Sequence, residues 1–225
     1  MNERPCPGPR LVVCGTDTDV GKTVVSALLV QGLEARYWKP VQSGLEQGGD
    51  RDWLVNLLHL PPERWLPEAY AFQAPVSPHW AAEMENQEID PERLSPPNQD
   101  QCPLVIETAG GLHVPLTRTW RQIDQLERWQ LPVLLVARSG LGTLNHSLLS
   151  LEALNRRSIP VLGLILNGPI HPDNPRTLEE LAGVPVLAQL PPLAPLNAQA
   201  LAEQWRIQGL GPKFERILNE QDCPQ

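Results

Sequence analysis

One stretch limits what this chain can fold into more than any other: Gly15-Thr16-Asp17-Thr18-Asp19-Val20-Gly21-Lys22-Thr23. The apolar run Leu11–Cys14 leads into it, and a helical pattern, Lys22–Leu33, leads out of it. A glycine-bearing loop that leaves a strand and opens a helix with Gly-Lys-Thr is the setting of a phosphate-binding loop. Backbone N–H groups of the loop and of the helix start point at the phosphates. Lys22 is expected to neutralise the β- and γ-phosphates, and the Thr23 hydroxyl to join a Mg²⁺ shell. The strict form of the motif has its first glycine where Thr16 stands; Gly15 lies one place earlier, so the loop is one residue longer.

The rest of the chain is consistent with that beginning. Apolar runs suited to buried strands recur at Ala35–Trp38, Leu104–Ile106, Val133–Ala137, Val161–Leu166 and Val186–Leu190. Helical patterns fall between and after them, at Asp52–Leu60, Arg121–Trp129, Thr143–Arg156, Thr177–Leu181 and Ala198–Trp205. Strands alternating with helices predict an α/β fold, a mostly parallel sheet with helices on both faces and ligands at the carboxyl ends of the strands. The chain is 225 residues long, which suits one such domain over 1–225. Residues 1–9 are expected to be flexible. Residues 61–103 read as a proline-rich excursion with no strand and a short helix around Trp80–Gln87.

Composition narrows the function classes. A formal net charge of -8 repels phosphate backbones and anionic lipid, so neither nucleic acid nor membrane is an expected partner. Cys6, Cys14, Cys102 and Cys223 form no CxxC pair, disulfide framework or zinc spacing, which fits a reducing cytoplasm. Met1–Arg10 is polar with three prolines, so no signal peptide is expected.

Further candidate groups stand where the strands end. Asp17 and Asp19, inside a loop built for anions, call for a cation or an amine nearby, or else point to solvent. Lys39, in Lys39-Pro40-Val41-Gln42-Ser43-Gly44, faces the same crevice as the loop, although by itself it reads as a solvated lysine. Glu107, in Ile106-Glu107-Thr108-Ala109-Gly110-Gly111, stands where a second metal-binding acid is expected. Asp52 is a further carboxylate, with Asp50 as its alternative; one of the pair reads equally well as a helix cap. Thr23, Asp52 and Glu107 would suit Mg²⁺, which takes a few hard oxygen ligands. Gly142–Asn145 opens a helix whose N-terminus suits an anion. Asn167 carries a donor and an acceptor that can read a base edge, or is a strand-end turn residue. His79, His113 and His146 form no ligand cluster.

Together the segments Gly15–Thr23, Lys39–Gly44, Ser77–His79, Glu107–Gly111, Pro132–His146 and Leu166–Gly168 resemble the dethiobiotin synthetase family in content and order. The longer loop opening GTDT is a feature of that family. The resemblance implies a P-loop fold, a homodimer, ATP and Mg²⁺, with 7,8-diaminononanoate and CO₂ as substrates. One amine becomes a carbamate, ATP phosphorylates it, and the second amine closes the cyclic urea. By the same likeness Lys22, Lys39 and Thr18 are catalytic. Asp19, Val20, Gly21, Lys22, Thr23, Val24 and Asn167 bind the nucleotide. Thr18, Lys39, Ser43 and Gly110 meet the substrate, and Asn145 holds its carboxylate across the dimer interface. Thr23, Asp52 and Glu107 hold the metal. Asp19 in place of glutamate, Thr108 in place of glycine and Arg138 in place of lysine depart from the family pattern.

Two other classes compare less well. Amide-forming ligases of the cobyrinic-acid type share a similar loop but carry a glutamine-hydrolysing domain, for which 225 residues leave no room. Partitioning ATPases place a lysine early in the loop, near Thr16 or Asp17, and none stands there.

Overall fold

The computed structural model describes residues 8–97 and 102–219. Cys6, Cys223 and most of the expected flexible segment 1–9 lie outside that range. In chain order the elements are β1 (Arg10–Gly15), α1 (Lys22–Gly32), β2 (Arg36–Trp38), β3 (Val41–Gln42), α2 (Asp50–Leu58), β4 (Trp65–Leu66), β5 (Tyr70–Ala71) and α3 (Pro78–Met84). They continue with β6 (Leu104–Gly111), α4 (Gln122–Trp129), β7 (Val133–Arg138), α5 (Thr143–Arg156), β8 (Val161–Asn167), α6 (Asn174–Ala182), β9 (Val186–Leu190), α7 (Ala198–Ile207) and α8 (Leu210–Asn219).

The central sheet has seven strands in the order β4-β2-β6-β1-β7-β8-β9, and every pair is parallel. A parallel sheet is covered on both faces, and strict alternation divides its side chains between two cores. In β1, Leu11 and Val13 join Val25, Leu28 and Leu29 of α1 with Leu201, Leu210 and Phe214 of the C-terminal helices. Val12 and Cys14 face the other way, onto Ile123, Leu126, Leu151, Leu154 and Leu178 of α4, α5 and α6. The phosphate loop thus leaves the middle of the sheet, at the carboxyl ends of the strands.

The excursion differs from the sequence reading. Trp65–Leu66 pairs with Tyr37–Trp38 and forms the sheet's edge, and Tyr70–Ala71 pairs with Val41–Gln42 in a separate two-stranded sheet. The segment carries its own small core of Val41, Tyr70, Phe72, Ala81, Ala82, Ile89, Leu94 and Leu116. The expected helix begins two residues earlier, because Pro78 occupies its first turn, where a missing N–H costs nothing. α8 has no counterpart among the helical patterns read from the sequence; it caps the α1-side core through Phe214, whose ring stacks on Trp205 at 5.7 Å.

Candidate active site

Glycine at position 21 shapes the phosphate loop. Gly21 caps α1 with φ +93°, a left-handed conformation that suits glycine, and a Cβ there would fall 2.0 Å from the Asn167 amide nitrogen. Asn167 closes the contact by donating to the Val20 carbonyl at 3.1 Å. Lys22, almost fully buried, curls back so that its ammonium donates to the Asp17 carbonyl at 2.9 Å and sits within the loop's curve. The cation near Asp17 is Arg138, which donates to its carboxylate at 3.0 Å and to the Thr18 carbonyl at 3.3 Å. Asp19 is exposed, also in the left-handed region at φ +55°, and lines the adjoining cavity.

That cavity has a volume of about 780 Å³. Thr18, Asp19, Gly21, Lys22, Thr23 and Val24 form one wall. Lys39, Ser43, Glu107 and Gly110 form another, and Pro75–Pro78 of the excursion a third. Gly110 lets the end of β6 come close to its neighbours: at φ +63°, a Cβ there would press to 2.6 Å on Val114.

At the floor lies a charge cluster. Thr23 Oγ1 is 3.1 Å from Asp50 Oδ1 and 2.9 Å from Glu107 Oε1. The Lys39 ammonium donates to Glu107 Oε1 at 3.1 Å and also to Asp50 Oδ2. Glu107 is fully buried, and its second oxygen, Oε2, accepts a hydrogen bond from the Tyr37 hydroxyl at 3.0 Å. Gln42 accepts from the Asp50 backbone N–H at 3.2 Å and so fixes the start of α2. Removing one partner from a buried ion pair costs about 3–5 kcal/mol, so these charges depend on each other.

The protonation states follow from the same contacts. Burial lowers the pKa of Lys22 below its ordinary value against the pull of Glu107, and the nearby Lys39 charge lowers it further. Burial also opposes the charge on Lys39, but the Glu107 and Asp50 carboxylates outweigh it and raise its pKa. Burial raises the Tyr37 phenol well above its ordinary value, and the Glu107 carboxylate adds to the shift, so Tyr37 is a donor at neutral pH. Burial pushes the Cys14 thiol up to about 12, which makes it inert.

The structure brings most of the sequence candidates together around the cavity; Val20, Asp52, Asn145 and Asn167 do not line it. Asp50, not Asp52, joins Thr23 and Glu107; the Asp52 carboxylate is 63% exposed and pairs with Arg51 at 3.0 Å. Neither aspartate caps α2, because Gly49 holds the cap position. Asn145 is exposed on α5 and does not line the cavity. Thr108, which departs from the family pattern, is buried, its hydroxyl has no hydrogen-bond partner among the described residues, and it does not line the cavity. Sequence reasoning overlooked Tyr37 and Gln42, and Trp53, which also lines the cavity. Tyr37 carried a signal: a polar-tipped side chain in a buried strand, two residues before Lys39 and therefore on the same face.

Comparison with known proteins shows the family to which the chain belongs. A family model described as "AAA domain" matches residues 9–200. The ATP-dependent dethiobiotin synthetase BioD of Brucella anthropi is 52% identical over 195 residues, covering 87% of this chain and 92% of that protein. The protein of the same name from Afipia carboxidovorans is 51% identical over 192 residues, covering 85% and 91%. Among solved structures, an ATP complex of a Cyanothece McdA variant superposes with a TM-score of 0.54 at 14% identity, covering 97% of this chain and 98% of that one, a likeness of fold alone. With half of the aligned residues identical over 85% and 87% of its length, the chain belongs to the family of ATP-dependent dethiobiotin synthetases.

Proposed function

We propose that the chain, acting as a single P-loop α/β domain, converts 7,8-diaminononanoate, CO₂ and ATP into dethiobiotin, ADP and phosphate. The observation that carries this reading is the pairing of Lys22 and Lys39 across one cavity, with Thr23, Asp50 and Glu107 at its floor. A simple nucleotide-binding loop needs only the first lysine. A second ammonium at the end of β2, separated from β1 by β6, supplies charge for a second anion, the carbamate.

The α1 N-terminus and the Asp19–Val24 backbone hold the phosphates, and Asn167 reads the adenine edge. One substrate amine adds to CO₂ and loses a proton, giving a carbamate whose oxygen faces Lys39, Thr18 and Ser43. That oxygen attacks the γ-phosphorus, and the bond to the ADP oxygen breaks. The second amine then attacks the carbonyl carbon of the mixed anhydride; phosphate leaves and the ureido ring closes with loss of a proton. Lys22 and Lys39 stabilise the negative charge of the carbamate and phosphoryl oxygens, the charge that develops on the leaving ADP oxygen, and then that on the departing phosphate. The excursion's Pro75–Pro78 wall limits water at the anhydride, which hydrolysis would waste.

The oxygens at the cavity floor fit Mg²⁺. Neighbouring ligands on an octahedron with bonds of about 2.0–2.1 Å lie about 2.9 Å apart. The spacings from Thr23 Oγ1 to Glu107 and Asp50 are 2.9 and 3.1 Å. We therefore assign Thr23, Asp50 and Glu107 as the metal's protein ligands. Mg²⁺ bound there would neutralise charge on the phosphoryl oxygens. The buried, inert Cys14 thiol is in keeping with a cytoplasmic enzyme. We further assign a homodimer in which Asn145 and the α5 N-terminus hold the substrate carboxylate of the partner's site. Leu141, just before that helix start, and Leu149, further along α5, are apolar and exposed, which supports a covered face.

The direct test is phosphate release from ATP with the diamine and bicarbonate, together and separately. Release that requires both is the expected result. ATP hydrolysis of equal rate without the diamine would overturn the reading.

A further inference from the structure

Glu107 is fully buried, and its two oxygens have separate surroundings. Oε1 faces the cavity floor, within reach of Thr23 and Lys39. Oε2 points back into the protein, where the Tyr37 hydroxyl donates to it at 3.0 Å. The register explains the meeting. Tyr37 pairs with Val105 across β2 and β6, and Glu107 lies two residues further along β6 on the same face. The Tyr37 ring is packed in the α1-side core, without exposed surface, so its hydroxyl has little freedom to turn elsewhere.

We propose that Tyr37 is a positioning residue: by occupying Glu107 Oε2 it fixes the carboxylate so that Oε1 alone is presented to the metal-binding floor. The inference rests on the assignment of Glu107 as a metal ligand made above. Two physical effects act in the same direction. Without the phenol, the carboxylate loses the bond that sets its rotation, and a hard cation with strict geometry binds less well to a ligand that wanders. The freed Oε2 also becomes available to the Lys39 ammonium, which already bridges Glu107 and Asp50. A stronger lysine clasp competes with the cation for the same oxygens.

The test uses Tyr37→Phe, which deletes one oxygen and keeps the ring, in the full chain. Calorimetry measures the Mg²⁺ concentration that half-saturates binding of a non-hydrolysable ATP analogue, and thermal melting checks that each variant is folded. Removing such an outer partner typically weakens metal binding by about 10–100-fold, so a rise of about 10-fold or more is expected for Tyr37→Phe. Glu107→Gln should raise it as well, and adding Tyr37→Phe to Glu107→Gln should produce no further rise, because the two residues act as one unit. A rise in Glu107→Gln with none in Tyr37→Phe would overturn the inference and leave the metal assignment standing. An undiminished effect of Tyr37→Phe in the Glu107→Gln background would also overturn it, since a general packing role persists without the carboxylate. No rise in Glu107→Gln would overturn the metal assignment itself.

Discussion

Asn167 donates its side-chain amide to the Val20 carbonyl at 3.1 Å, so the last residue of β8 fastens the loop that opens α1. The fastening leaves no room at the next position, where a Gly21 Cβ would fall 2.0 Å from the same amide nitrogen.

Gly21→Ala is therefore expected to bind an ATP analogue at least about fivefold more weakly, since forcing a side chain into the left-handed region costs about 1–3 kcal/mol and 1.4 kcal/mol is a factor of ten. Adding Asn167→Ala should recover part of the lost melting temperature, although Asn167→Ala alone lowers it. Calorimetry and thermal melting of the three variants check the pair; additive losses would mean that the overlap is relieved some other way.

For the metal, Asp50→Asn should raise the Mg²⁺ needed for half-maximal rate by about tenfold or more, because an amide is a poorer ligand for a hard cation. Asp52→Asn should change it less than about twofold, as expected of an exposed surface ion pair. Magnesium titrations of the initial rate distinguish the two. A larger effect at Asp52 would refute the assignment.

Asp50 also makes stability depend on acid. Burial opposes its charge, but the Lys39 ammonium and the Thr23 hydroxyl outweigh burial, and the folded pKa lies below the ordinary 3.8. A carboxyl with a lowered folded pKa stabilises the protein fully above its unfolded value and loses that contribution as pH falls through the folded one. Wild type should accordingly resist urea better than Asp50→Asn well above pH 3.8, with the gap narrowing below it. Urea midpoints of both proteins along an acid series provide the measurement; a gap that is constant with pH would reject the Lys39–Asp50 pairing.

The choice between Asp50 and Asp52 shows where the sequence was readable and where it was not. Two helical residues two places apart lie about 200° apart around the axis, so only one of the pair can face the loop. Choosing required the phase of α2. The clue was Leu54, buried completely and four residues after Asp50, hence on its face. The inner strands of the central sheet, above all β1, β7 and β8, were legible because both of their faces are buried and their runs are almost wholly apolar. Trp65–Leu66 and Tyr70–Ala71 were not, since two-residue strands are too short to show a period. Lys22, Thr23, Lys39 and Glu107 could be placed from their motifs because each is tied to a strand end. Asn145 lies on α5 away from the cavity, and the role proposed for it involves a second chain, which the fold of one chain does not display.

A shared site predicts a specific result on mixing. Asn145→Ala should weaken diamine affinity about tenfold or more, since a hydrogen bond to a charged acceptor is worth about 1.5–3 kcal/mol. Its ATP affinity should stay within about twofold, because Asn145 lies outside the phosphate cavity. Lys22→Ala should be inactive, one lost donor to developing charge costing about 10²–10³ in rate. Co-refolded, the two variants should form hybrids with one site carrying both lesions and one carrying neither, and activity at low diamine should return. Hybrid dimers without recovery would mean that each subunit holds the carboxylate alone.

The position of β1 in the sheet has a consequence for how the protein is made. β1 comes first in the chain, yet its partners are β6 and β7, with Val13 opposite Glu107 and Leu134. Pairings so distant in sequence are slow to form, because the loop entropy is lost before the contacts repay it. During synthesis, β1 must therefore wait without a strand neighbour until residues past 111 have left the ribosome, its second neighbour follows only past 138, and nucleotide affinity is acquired late. ATP then binds only chains whose sheet has closed, so the cell's own nucleotide pool draws newly made chains toward the finished fold.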